Sequence, residues 1–376
     1  MLLNCQNIDP LELQGVNRRK EKMKKIIALV LTLALLAVCF AGCTPKAENT
    51  EPDTSPDVSG DANNETPAPA DVIHIQFGHD NLPGEPLTMA AEFWAEKLAE
   101  VSGGTMVLDV YDSSSLGSKS DLLDQMFAGD AVMVVGDGGF SADYGVTDMG
   151  ITMGPYLFEN WEQVDKLVNS DFWSELKGQM SDAGMTIVGD NWQYGARSTM
   201  SVSKIESPKD FSGLKIRVPT NTVQVEGMKA VGASPVAMSL NEVYSSLQQG
   251  AVEAVENPLS TLLANSFDEV CKYLTLDRHV YQIQFVVIGT DFFNSLTAEQ
   301  QAWLVETGTE AGQYQNELMQ QAEADNIQKM KDKGVEIVEI DHAEFAEAAK
   351  SFYTDSETSK TWSEGLYDRV MEIISK

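Results

Sequence analysis

Arg217 stands in "SGLKIRVPTN" (212–221), an otherwise apolar strand pattern that stops at Pro219. Side chains alternate between faces along a strand, so Leu214, Ile216 and Val218 share one side and Lys215 and Arg217 the other. The guanidinium therefore lies either on a solvated face or in a cleft, aimed from the strand's carboxyl end. In a cleft it can bind: its planar fork makes two parallel charge-assisted hydrogen bonds with one carboxylate, which fixes orientation as well as charge. Other polar residues stand just past strand patterns. Asp80 and Asn81 follow "VIHIQFGH" (72–79), Asp137 follows "DAVMVVG" (130–136), and Asn257 closes "AVEAVEN" (251–257). Ligands of open α/β sheets bind outside such ends, which makes these residues candidates to face the same molecule.

Other chemistries have little to stand on. The four histidines, His74, His79, His279 and His342, show no spacing that would place two on one helix turn as ligands, and HExxH is absent. No GxGxxG, P-loop or GxSxG occurs. Ser201 and Lys204 have the S-x-x-K spacing without the S-D-N and K-T-G companions that give it meaning. Carboxylates are so abundant that an acid pair carries no signal. No nucleophile, metal site or cofactor is expected. A formal charge of −31 argues against nucleic-acid binding through a phosphate-neutralising surface.

The elements that must hold these residues alternate. From Val72 onward strand patterns ("TMVLDVYD", "MTIVGDNW", "SPVAMS", "FVVIGT") are interleaved with helical ones ("TMAAEFWAEKLAEVSGG", "DLLDQMFAG", "TVQVEGMKAVGA", "NEVYSSLQQG"). This implies an α/β protein with helices on both faces of mainly parallel sheets. "LLDQMFAGDAVMVVGD" (122–137) overlies "VYSSLQQGAVEAVENP" (243–258) at an offset of 121, each a helix, a glycine, a strand and a polar exit. The echo favours two similar lobes and sets Asn257 opposite Gly136 and Asp137. A long helical pattern begins at Thr297, with Gln300 at the capping-box spacing, and runs to about Lys333. At ~1.5 Å per residue it spans roughly 50–55 Å and should bridge both lobes, with Gly308 and Gly312 as places to bend.

Ahead of this lies "MKKIIALVLTLALLAVCFAGC" (23–43): a basic start, an apolar run from Ile26 to Phe40, and small residues before a cysteine. The run is shorter than the ~20 residues of a membrane span and reads as a signal-peptide core. It resembles a lipoprotein signal, with Met23 as the start, residues 1–22 as an upstream extension, and Cys43 as the lipidated first residue. Its removal would take six basic and three acidic side chains and deepen the charge to −34. Residues 44–71 are acidic and proline-rich, with almost no large apolar side chain, and read as a disordered tether. With Cys43 acylated, Cys271 would be the one thiol left in the folded part, which excludes a disulfide-stapled fold.

"GLKIRVPTNTVQVEGMKAVGASPVAMSLNEVYSSLQQGAVEAVENPLS" (213–260) resembles the central signature of the solute-binding receptors of TRAP transporters, the tripartite ATP-independent periplasmic transporters. The resemblance extends through "MGPYLFENWEQV" and "NWQYGARSTMSVSKIESPKDFSGLKIRV" to most of 72–376. It implies a two-lobed clamshell like the periplasmic binding proteins, lobe one holding about 72–195 and 284–322, lobe two about 196–283 and 323–376. It implies no catalysis: the lobes would close on a small carboxylate-bearing organic acid and present it to a membrane permease driven by an ion gradient. By residue, the resemblance gives Arg217 the ligand's carboxylate, adds Arg197 from "YGARS", and completes the polar clamp with Asn257 from "ENP". Asp137 and Asn81 are the candidates from lobe one.

Plainer roles stand beside these. Arg217 could be a surface residue, Arg197 could pair with Glu206 or Asp210, and Asn257 could cap the helix that begins near Pro258. Trp192, Tyr194, Tyr244 and Phe285 suit a core; His279 and Glu242 would at most sit behind ligand contacts. The same clamshell could serve an ATP-driven importer or a chemosensory receptor, and a secreted hydrolase is a further class, although no motif supports one.

Overall fold

In a computed structural model, which describes residues 72–376, the alternation resolves into nine strands of a single sheet. The signal-like run, Cys43 and the tether lie outside the described residues. The strands are β1 (Ile73–Gly78), β2 (Met106–Tyr111), β3 (Val132–Gly136), β4 (Met185–Ser201), β5 (Lys215–Val218), β6 (Ser234–Ala237), β7 (Ala254–Pro258), β8 (Tyr273–Gly289) and β9 (Glu336–Val338). Their spatial order is β2-β1-β3-β8-β4-β7-β5-β6, with β9 also on β8. Each wing is parallel, as the alternation predicts: β2-β1-β3 on one side, β7-β5-β6 on the other.

The middle is antiparallel. β3 pairs with β8, β8 with β4, and β4 with β7. β4 and β8 are each 17 residues long and run through both wings, a feature the short apolar runs of the sequence conceal. "DNWQYG" in β4 and "HVYQIQ" in β8 mix polar residues into buried strand, so neither pattern reads as continuous. Register shifts interrupt the β4–β8 pairing from Ile187 to Thr199, where the wings meet.

Both faces of each wing are buried. Ile75, Trp94, Val286 and Leu304 fill one side of the first wing, and Val134, Trp173, Phe285 and Leu366 the other. The second wing has Met200, Leu262, Leu274 and Met330 on one side, and Phe211, Ile216 and Phe345 on the other. Helices α1 (Pro86–Val101), α2 (Lys119–Phe127) and α3 (Gly138–Asp143) follow the first-wing strands, and α4 (Leu259–Ala264) follows β7. In α1 the buried stripe is Leu87, Ala90, Ala91, Trp94 and Leu98, while Val101 at the end of the helix is 45% exposed.

The long helix α5 (Ala298–Asp332) has the expected start, with the Thr297 side chain and Gln300 forming a capping box. It places Leu304 and Ala311 in the first wing's core and Met330 in the second's. Gly308 and Gly312 do not break it. A Cβ at Gly308 would stand 2.5 Å from Trp94 Cζ2 and 2.6 Å from the Val188 carbonyl, and one at Gly312 2.6 Å from Trp192 Cδ1. These glycines let helix backbone lie on sheet and tryptophan. The last helix, α6 (Leu366–Ser375), departs from the expected boundaries: Leu366, Val370 and Ile374 pack with Val164 and Leu167 in the first wing's core, not with the second. No helix among the described residues is long and apolar enough to cross a membrane.

Candidate functional site

All six strands of the two parallel wings open onto one cavity of about 540 Å³. Asp80 follows β1, Ser114 follows β2, and Asp137 follows β3; Arg217 is in β5, Met238 and Ser239 follow β6, and Asn257 is in β7. Crossing strands β4 and β8 supply the floor: Tyr194, Arg197, Gln282 and Gln284. Alternation that buries Ile216 and Val218 in the second wing's core turns Arg217 to the other face, where it is 3% exposed while Lys215 on that same face stays in solvent. The carboxyl end of β5 is covered across the cavity; its start is not.

Arg217 donates from Nε and Nη2 to the Met238 carbonyl, at 3.0 and 2.8 Å. Among the described residues no carboxylate lies within 4.0 Å of it. Burial pulls its guanidinium down to about 10, with Glu256 acting upward and Arg197 downward. Asn257, also buried, makes no side-chain hydrogen bond among the described residues. It does not cap α4, whose N-cap is Pro258, without a side-chain bond.

Arg197 is on the lining but already engaged. Its partner is neither Glu206 nor Asp210 but Glu256, the neighbour of Asn257. Nε bonds Glu256 Oε2, Nη2 bonds Oε1 at 2.8 Å and the Glu256 carbonyl at 2.9 Å, and Nη1 bonds Gln282 Oε1 at 2.6 Å. Antiparallel pairing of Thr199 with Glu256 and Arg197 with Pro258 makes this fork possible. Behind it, the His279 ring touches Glu256 Oε2 and Asp277 Oδ2, each at 3.1 Å. Asp277 also accepts from the Thr199 amide and hydroxyl at 2.8 and 2.9 Å. Burial alone would lower the imidazole, but the two carboxylates raise it to about 9; burial would raise Glu256, but Arg197 and His279 bring it to about 2.

Asp137 also lines the cavity. One oxygen caps α3 through the Gly139 and Phe140 amides, at 3.0 and 3.2 Å. The other lies 3.4 Å from Lys119 Nζ and from Gln282 Nε2. Asn81, expected at the ligand, is instead turned behind the lining. It is buried and donates to Glu85 Oε2 at 2.7 Å and Tyr194 Oη at 2.9 Å, while its neighbour Asp80 faces the cavity. The chain turns at Asn81 into α1, which directs consecutive side chains apart. Trp192 and Phe285 are core residues; Glu242 caps a turn through the Ser239 amide and stays exposed.

Sequence reasoning passed over Lys119, Gln282, Gln284 and the Glu256 fork. Lys119 reads as a solvated helix start, and only the fold lays it over the Phe140 ring. The wings also touch at the rim, where the Thr222 amide donates to Asp143 Oδ2 at 2.9 Å.

Residues 77–360 match the model of the bacterial extracellular solute-binding protein family 7, DctP. The chain belongs to that family. This receptor is 35% identical, with a TM-score of 0.77, to a TRAP periplasmic solute-binding protein of Ochrobacterium anthropi solved with bound L-fuconate; the match covers 81% of this chain and 99% of that one. A second such protein, from Actinobacillus succinogenes with bound L-galactonate, is 33% identical at a TM-score of 0.77, covering 80% and 99%. The receptor is also 28% identical to the C4-dicarboxylate-binding periplasmic protein of Rhodobacter capsulatus, over 71% of this chain and 80% of that one. It is a TRAP-type solute-binding protein, a transport component and not an enzyme.

Proposed function

We propose that this receptor binds a small organic anion in the cavity between its wings, with the ligand's carboxylate bridged by Arg217, and hands the closed complex to a TRAP membrane permease. The observation that carries the reading is Arg217 itself. A buried cation without a counter-ion is costly, by several kcal/mol after relaxation, and a ligand carboxylate would supply the missing charge. Nη1 and one hydrogen of Nη2 remain for it. Arg197 is held rigid by Glu256 and shapes the wall next to Asn257, whose amide can accept or donate toward a second ligand atom. L-fuconate and L-galactonate, bound by the two similar structures, are small hydroxylated carboxylates, which suits a lining that carries Arg217, Asn257, Gln282 and Gln284.

The wings act as lobes, with most of 72–195 and 284–322 in one, together with α6, and 196–283 in the other. Closure would flex the crossing strands where their pairing is already irregular, between Ile187 and Thr199, and the Thr222–Asp143 contact would latch the rim. We also infer export under the 23–43 signal and acylation at Cys43, which would leave the receptor tethered to the outer face of the membrane.

Calorimetry on the purified receptor tests the central claim. Removing one partner of a buried charge pair typically costs ~2–5 kcal/mol, so Arg217→Ala should weaken L-galactonate binding by roughly 30- to several-thousand-fold. An unchanged dissociation constant would refute the assignment of Arg217.

A further inference from the structure

The hydrogen-bonding groups of the cavity divide into two unequal sets. Most charges on or just behind the lining are matched: Arg197 with Glu256, Lys119 with Asp137, and His279 with Asp277. Behind the lining, Glu85 accepts hydrogen bonds from Asn81 and Thr261; on the described lining two charged groups are left without an ion pair, the Arg217 guanidinium and the Asp80 carboxylate. They form no ion pair within 4.0 Å, yet Asp80 is near enough that its charge favours the protonated guanidinium. Asp80 is partly buried and makes no side-chain hydrogen bond among the described residues. Gln284, on the same lining and 2% exposed, has a carbonyl oxygen with no donor. The cavity therefore asks for an acceptor at Arg217 and for donors at Asp80 and Gln284.

We propose that Asp80 is the specificity-determining residue of this site and selects a polyhydroxylated monocarboxylate, with hydroxyl groups donating to Asp80 and Gln284, over a dicarboxylate. The proposal rests on the assignment of the carboxylate to Arg217 and extends it to the rest of the ligand. An ionised carboxylate is acceptor-only, so Asp80 can be satisfied by a hydroxyl but not by a second carboxylate. A dianion would bring its second charge toward Asp80 with no unpaired cation among the described lining residues to receive it, since Lys119 is paired with Asp137. Like charges in a site partly withdrawn from water repel more strongly than they do in bulk water. A sugar acid satisfies both sets, its hydroxyls reaching Asp80, Gln284 and the Ser114 side of the wall.

Calorimetry with L-galactonate and succinate, on the intact receptor and on D80N, R217A and D80A, tests this. The unaltered receptor should bind L-galactonate at least about 100-fold more tightly than succinate. A hydrogen bond to a charged group accounts for roughly 10- to 100-fold in affinity, so D80A should weaken L-galactonate by that factor, D80N, whose amide oxygen still accepts, by up to about 10-fold, and both should strengthen succinate. D80A repeats the measurement without the amide, and the ligand-free melting temperature verifies that each variant is folded. A galactonate-to-succinate ratio that is the same in D80N, D80A and the unaltered receptor, while R217A loses both ligands, overturns the role of Asp80 and leaves Arg217 intact. Undiminished galactonate binding by R217A would instead overturn the carboxylate assignment beneath it. Binding of alanine but not L-galactonate would overturn the choice of hydroxyl donors in favour of an ammonium group.

Discussion

The residue that could be read earliest, Arg217, is also the simplest: one strand, one alternation, one exit. Its neighbours are harder because their partners are remote in sequence. Arg197 and Glu256 are 59 residues apart and meet through β4–β7 register, and nothing in a chain with 57 acidic residues marks Glu256 as that partner. The Arg197–Glu256–His279–Asp277 chain alternates in sign and is wholly buried, so removing one member strands the next. It also confers a pH dependence. The folded His279 titrates at about 9, above its ordinary 6.5. Its contribution to stability is therefore fully present below pH 6.5 and is lost as the pH rises through about 9. His279→Gln keeps a hydrogen-bonding side chain without the charge. Melting curves from pH 6 to 10 should show the parent falling toward the variant; a gap that stays constant across that range would rule out a protonated His279.

At the scale of elements, α5 was legible at its start and not in its middle. Thr297 and Gln300 announce the N-terminus through a local rule that needs no tertiary contact. Gly308 suggests a bend by the same kind of local rule, yet the helix runs on, and the glycine is there for contact with Trp94 and the Val188 carbonyl. The two considerations give opposite signs for Gly308→Ala. Helix propensity would stabilise by ~1 kcal/mol. Against that, overpacking costs ~1–3 kcal/mol, toward the upper end here because one of the clashing atoms is sheet backbone that cannot rotate away. We expect net destabilisation, read as a lower urea midpoint; a raised midpoint would mean that α5 can lift from the sheet at no cost. The same logic explains β4 and β8. Local patterns reveal parallel wings flanked by helices, but not two strands whose buried polar stretches are matched across the sheet.

For the whole molecule, a charge of −31 sits awkwardly with an anionic ligand. Exposed charges are screened over ~8 Å at physiological salt, whereas the guanidinium inside the cavity is not. Local geometry therefore decides binding, and the surface charge mainly keeps the protein soluble. The proposed anchor belongs to this scale as well, since a tethered receptor explores only the volume near its permease. Cys43→Ser should shift the protein from the membrane fraction to the soluble exported fraction, scored by immunoblot after fractionation. Retention of the variant on the membrane would exclude acylation at Cys43 as the anchor.

Features that depend on neighbours along the chain are legible in the amino acids alone: an α/β alternation, the parallel wings, the cap of α5, the strand ends that bear Arg217, Asp137 and Asn257, and membership of a receptor family through contiguous motifs. Features that depend on neighbours in space emerge when the chain folds. The fold turns Asn81 away and Asp80 inward, gives Arg197 to Glu256, pairs Lys119 with Asp137, and leaves Arg217 on the Met238 carbonyl with no carboxylate partner among the described residues. Hydrophobic periodicity sets which face a side chain takes. The pairing of buried charges is settled by strand register and crossing, across separations at which one acid looks like any other.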